Sequence, residues 1–152
     1  MDIVSYLKEQ KAEFKRMSHP EVFTSQEVAG AQHVPGRAMA KAVLVKADNT
    51  YVLAVLPAIY KVNFGRLAKI LGVKKTSLAN EEEMKPFFTD TELGAEPPFG
   101  NLYNLETIIE EHLTEEPEIV FQAGTHKDTI KMKTADYQKL AKAKVGQFGD
   151  HI

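Results

Sequence analysis

The sequence predicts an α+β domain, with a curved, mixed but mostly antiparallel sheet of barrel-like form and flanking helices. Three observations point there. Two neighbouring segments, AKAVLVK and YVLAVLP, are apolar on both phases of a two-residue period and are separated by the turn residues ADNT, as in a buried hairpin. Amphipathic stretches of helical period interrupt further strand-like runs without alternating regularly with them. A length of 152 residues without a repeat or low-complexity tract fits one domain, able to bury roughly two-thirds of its unfolded surface.

The elements follow in order. The first ten residues read as a short helix with Ile3, Val4 and Leu7 on one side, followed by a strand from Glu13 to Ser18. Thr24 and Glu27 have the spacing of a capping box, opening a short helix through Ala31. In the hairpin, Val43 and Val45 share a face with Lys41 while Ala42 and Leu44 take the other, so both faces are apolar. Asn63 is placed to cap a helix carrying Phe64, Leu67, Ala68 and Leu71, which Gly72 can end in a left-handed conformation. Asn80 and Glu83 mark another start, and Pro86 keeps that helix short or bent.

GAEPPFG, Gly94 to Gly100, is a stiff loop, because Pro97 and Pro98 lack N–H donors and fix their own φ angles. Phe99 is expected to pack beneath it. LETIIEEHL is compatible with strand or helix, and strand is favoured at Thr107 to Ile109. EIVFQA reads as a strand, GTHKD as a turn, and TIKMK as a strand with Ile130 and Met132 inward. Thr134 is placed to cap a final helix with Tyr137, Leu140 and Ala141 on its inner face.

Composition narrows the chemistry. Without cysteine there is no disulfide, thiolate nucleophile or cysteine metal site, and the N-terminal stretch has neither a signal-peptide core nor a membrane span. A soluble, cytoplasmic protein is expected. The net charge of −2 argues against a generic nucleic-acid binder. The charge is unevenly spread, however: residues 61–75 hold five basic side chains and no acid, while residues 80–118 hold twelve acids against Lys85 alone. This leaves room for a basic face.

No G-x-S-x-G elbow, P-loop, dinucleotide fingerprint or paired-histidine zinc motif occurs, and the spacing of His19, His33, His112, His126 and His151 supports no metal site. No metal or cofactor is expected. His126 is retained as a candidate because it sits in a turn directly after Gly124. Lys41 shares a strand face with valines. A buried ammonium there needs a partner or a lowered pKa, whereas an end-of-strand lysine packs its stem and sends its amine to water. Glu81, Glu82 and Glu83 point in three directions around a helix start and read as capping and dipole residues. Glu96, alone in the stiff loop, reads as an exposed polar residue.

Three segments, FTSQEVAGAQHVPGRAMAKAVLVK, TELGAEPPFGNLY and IVFQAGTHKDTIKMKTADYQKL, together resemble the YbaK and prolyl-tRNA synthetase-associated editing domain family. The resemblance covers nearly the whole chain. It implies a freestanding hydrolase for the ester of a mischarged aminoacyl-tRNA, acting at the acceptor end after a synthetase has released its product, with an aminoacyl-tRNA synthetase as a candidate partner. In that family a strand lysine is the key residue, and Lys41 occupies the matching place. The family's G-x-x-x-P loop corresponds to Gly94, Ala95, Glu96, Pro97 and Pro98. Its C-terminal glycine turn corresponds to Gly124, Thr125 and His126. These would form the catalytic and substrate-binding set.

An aminoacyl ester is already activated, so positioning a water and stabilising the oxyanion suffices without a protein nucleophile. In this reading the backbone amides of Gly94, Ala95 and Glu96 face the ester, Lys41 anchors a carbonyl, a phosphate or the terminal adenosine, and Lys41, Gly94 and Gly124 line one cleft. Lys69, Lys74 and Lys75 are the candidate tRNA contacts on the basic stretch. A non-catalytic binding module for an amino-acid-like ligand or protein partner, or a hydrolase of another small ester or amide, would use the same residues.

Overall fold

The computed structural model describes residues 2–21, 24–31 and 34–152. Helix α1, Ile3–Glu9, is capped by the Asp2 carboxylate, which accepts from the Ser5 amide. Strand β1 follows at Phe14–Ser18, then α2 at Ser25–Ala31, where the Thr24 hydroxyl accepts from the Glu27 amide and the Glu27 carboxylate from the Thr24 amide. Strands β2, Ala40–Ala47, and β3, Thr50–Pro57, form the expected antiparallel hairpin, in register from Ala40 opposite Pro57 to Ala47 opposite Thr50. The chain continues through β4 at Tyr60–Val62, α3 at Phe64–Leu71, β5 at Thr76–Leu78 and α4 at Glu81–Met84. Asn63 caps α3, and Gly72 ends it at φ 69°. Asn80 and Glu83 form a capping box on α4.

Beyond the stiff loop come a 3₁₀ turn at Gly100–Tyr103, strand β6 at Glu106–Glu110, and a second 3₁₀ turn at Glu111–Glu115. Strands β7, Glu118–Gln122, and β8, Asp128–Lys133, lead into α5, Thr134–Ala141, and the short strands β9, Lys144–Gly146, and β10, Gly149–His151. Thr134 does not cap α5. The ladder with β7 runs through Lys133, so the helix begins immediately and Thr134 is its first residue, with no partner for its buried hydroxyl among the described residues.

The sheets are mixed and mostly antiparallel. A five-stranded sheet has the order β5-β2-β3-β6-β9, with parallel pairing from β3 to β6 and from β6 to β9. β1-β8-β7 forms an antiparallel sheet, and β10 pairs with β4. The two larger sheets meet at a parallel bridge between Met39 and Val120, where the Val120 amide donates to the Ala38 carbonyl. Among the described residues no sheet closes on itself, and the outer strands β5 and β9 are only three residues long.

Both faces of the hairpin are dry, for different reasons. Ala40, Leu44, Leu53 and Val55 look into the main core with Phe99, Phe121, Ile130 and Tyr137. On the other face, Val45, Ala54 and Leu56 lie under Leu67 of α3 and Phe148, while Met39 packs with Val28 and Ala29 of α2, Ala58 and Val120. Lys41 stands on that second face, between Met39 and Val43 and therefore between the two patches. No helix among the described residues is long and apolar enough to cross a membrane.

Phe99 packs as expected, fully buried, with ring centroids 5.1 Å from Tyr137 and 5.5 Å from Phe121. Truncating it leaves a void at the centre of the main core. Phe99→Ala should lower unfolding free energy by about 3–5 kcal/mol in urea titration.

Candidate functional site

The Gly94 loop and the Gly124 turn are bound into one unit. The Glu92 amide donates to the Gly124 carbonyl (2.7 Å), and the Gly124 amide donates to the Ala95 carbonyl (2.9 Å). The His126 amide reaches the Glu92 carboxylate at 2.7 Å, and His126 Nε2 lies 2.8 Å from the Leu93 carbonyl. Both glycines adopt left-handed backbone, φ 89° at Gly94 and 98° at Gly124, where a Cβ would be strained. Glu92 was not singled out by sequence. Nothing in its local pattern distinguishes it from the neighbouring acids.

The Gly94 and Ala95 amides are engaged internally. The Gly94 amide donates to Glu96 Oε1 at 2.8 Å, and the Ala95 amide closes a turn on the Glu92 carbonyl at 3.0 Å. This departs from the expectation that they face a substrate, because a carboxylate two residues on can fold back onto the amide. Glu96 is correspondingly buried rather than exposed, at 6 % of its free surface, as are Pro97 and Pro98. The Tyr137 hydroxyl donates to the Pro98 carbonyl (2.6 Å) and clamps the proline end. Thr125 also turns inward, its hydroxyl donating to Asp128 at 2.5 Å.

Lys41 lines a separate cleft. Its Nζ donates to the Ala58 carbonyl at 3.4 Å, no acidic side chain pairs with it among the described residues, and burial holds its pKa below the ordinary lysine value of 10.5. Thr24, Gln26, Lys41 and Ala58 line a cleft of about 380 Å³. The Gln26 amide donates to the same Ala58 carbonyl at 3.3 Å. Gln26 too was missed, since only the folding of α2 across the end of β3 brings it beside Lys41.

No described hydrogen bond or shared cleft wall joins Lys41 to Gly94. They are related through the Met39–Val120 bridge, from which Lys41 is two residues along β2 and Gly124 four residues along the parallel chain. His33 lies outside the described residues.

The basic stretch divides. Lys69 occupies the last turn of α3, whereas Lys74 and Lys75 follow that helix and donate their amides to the Asp48 carboxylate at 3.1 and 2.9 Å. With Lys46, Asn49 and Ser77 they surround a hollow of about 480 Å³. It lies at the far end of β2 from Lys41, about 17 Å away along the strand.

Residues 19–140 match the aminoacyl-tRNA editing domain family. The chain belongs to that family. Its chemistry is hydrolysis of the ester that joins an amino acid to tRNA. The editing domain is 29% identical over 151 residues to the multifunctional Ser/Thr-tRNA deacylase ProXp-y of Escherichia coli K12, covering 96% of this chain and 90% of the relative. Over 98 residues, 64% of this chain and 16% of the other, it is 31% identical to the proline–tRNA ligase of Bacillus pumilus. Its fold is that of a crystal structure described as a candidate trans-editing enzyme for prolyl tRNA synthetase, with a TM-score of 0.85, 19% identity and coverage of 97% and 94% of the two chains.

Glu96 makes the loop pH-sensitive. Burial raises its carboxyl above the usual value of 4.5, opposed by the Gly94 amide and by His126. A carboxyl that holds its proton more tightly folded than unfolded contributes stability below 4.5, and that contribution falls as pH rises through the raised folded value. Glu96→Gln keeps an acceptor for the Gly94 amide. Its urea midpoint should fall less steeply than the parent's above pH 4.5, and equal slopes would remove Glu96 from this role.

Proposed function

We propose that the editing domain acts in trans on a prolyl-type tRNA carrying a wrong small amino acid, with serine and threonine the first candidates, and that Lys41 carries the reaction. The observation behind this is a half-buried ammonium held by one backbone carbonyl at a cleft, with no counter-charge among the described residues. A cation kept partly dry beside an ester is strongly coupled to the negative charge that develops on the carbonyl oxygen.

The names of the curated relatives support the substrate class, and a cytoplasmic place of action fits it, because charged tRNA is found there. Water adds to the ester carbonyl carbon, the bond to the ribose oxygen breaks, and that oxygen leaves with a proton as the tRNA hydroxyl. Lys41 supplies charge and orientation in this scheme and is not the base. The Gly94–Pro98 loop, with Gly124 and His126, is a rigid unit held by internal hydrogen bonds, against which the tRNA end comes to rest. Lys69, Lys74 and Lys75, with Lys46, meet tRNA phosphates further along.

A panel of mischarged tRNAs, compared with free aminoacyl esters, tests the activity. Lys41→Ala should lower kcat by about 10²-fold or more, the scale of losing one oxyanion donor, with an unchanged far-ultraviolet spectrum. Full activity would exclude Lys41. Lys41→Met should also raise Tm at neutral pH, since it replaces an ammonium that burial disfavours with an apolar side chain.

Charge reversal at Lys74 and Lys75 should raise KM and flatten the salt dependence of tRNA binding, the slope falling by nearly one for each phosphate no longer neutralised. An unchanged salt slope would make that hollow ordinary surface.

A further inference from the structure

Beside the Lys41 cleft is a small aromatic platform that the proposed reaction does not use. Tyr60 stacks on His112 with ring centroids 4.8 Å apart and planes 30° from parallel, and it tilts against His151 at 5.2 Å. The platform is anchored from below by a fully buried carboxylate. Glu110 Oε1 lies 2.6 Å from His112 Nδ1, while its Oε2 accepts from the Phe148 and Gly149 amides at 2.7 and 2.6 Å. Glu110 therefore orients the His112 ring and ties down the strand that carries His151. The His112 side chain is 46% exposed, so one ring face lies on Tyr60 and about half of its surface faces water.

Its position is what connects it to the ester. Ala58, whose carbonyl holds Lys41, opens the two-residue turn that leads into Tyr60 at the start of β4. The parallel pairing of β3 with β6 ends at Val55 opposite Ile109, so the turn after β3 and the 3₁₀ turn that carries His112 leave the sheet at the same end. The platform is thus two residues along the chain from the carbonyl that holds the cation. In an aminoacyl-tRNA the group across the ribose from the ester is the terminal base, whose π face stacks on aromatic and histidine rings.

We infer that the open face of His112, backed by Tyr60, is the stacking site for the 3′-terminal adenine of the tRNA. This rests on the aminoacyl-tRNA reading above. Stacking there fixes the ribose, and with it the ester, opposite Lys41. The contact is a binding one, made equally in ground and transition states, so its loss belongs in KM rather than kcat.

The test uses uncharged tRNA carrying 2-aminopurine as its terminal base, together with steady-state deacylation of the matching mischarged tRNA. The parent should quench the fluorophore on binding. His112→Leu should lose that quenching and raise KM about ten-fold at unchanged kcat, while His112→Phe should restore both. Both variants lose the hydrogen bond to Glu110, so the difference between them reports the ring alone. If quenching and KM are the same in His112→Leu as in the parent, or if His112→Phe fails to rescue a well-folded protein, the platform is not the base site. If the parent binds no tRNA, the functional reading fails and this inference with it.

Discussion

Everything in this molecule depends on covering two dry faces of one hairpin with different material. β2 and β3 are apolar on both sides, and a sheet in water cannot leave either face open without losing roughly 25 cal/mol for each Å² of apolar surface exposed. One face is closed by the second sheet and α5 around Phe99 and Tyr137. The other is closed piecemeal, by α2 over Met39 and by α3 over Val45 and Leu56. Two short helices leave a seam, and Lys41 rises there. The ammonium is dry enough to be perturbed and open enough to meet a ligand.

The second organising feature is the conversion of backbone hydrogen bonding into rigidity. The Gly94 loop contains two prolines, yet its Gly94 and Ala95 amides donate to Glu96 and Glu92, and its Ala95 carbonyl accepts from the Gly124 amide. A buried carboxylate does this efficiently, because an acceptor with several lone-pair sites can hold separate strands of chain at once. Glu110 does the same at the end of β6, joining the last strands to it and setting the angle of His112. Both carboxylates act on the site by fixing what surrounds it.

The hairpin, the capping residues Thr24, Asn63 and Asn80, the glycine stop at Gly72 and the burial of Phe99 were all legible in the chain. Each depends on contacts within a few residues or on a short period. The three-residue strands β4, β5, β9 and β10 were not legible, because pieces so short have no period to read and exist only through their partners. The Thr134 cap failed for a related reason: pairing of Lys133 with Glu118 decides where β8 ends. Among the candidate site residues, Lys41 and both glycine turns were named from sequence, whereas the contacts of Glu92 and Gln26 and the inward turn of Glu96 were not legible there. Their roles are contacts across 34 residues, across 32, and between neighbours whose rotamers are set by burial.

What the amino-acid sequence determined by itself was the local grammar and the family pattern: a two-faced hairpin bearing a lysine, a loop stiffened by Pro97 and Pro98, and glycines where φ must be positive. Tertiary structure alone decided which donors remain for a ligand and which chemical groups stand side by side. It turned the Gly94 and Ala95 amides inward, hung Lys41 and Gln26 on one carbonyl, and set His112 against Tyr60. The physical reason is that hydrogen-bond satisfaction and burial are properties of the assembled molecule, and a residue's neighbours in space are chosen by strand register rather than by its neighbours in the chain.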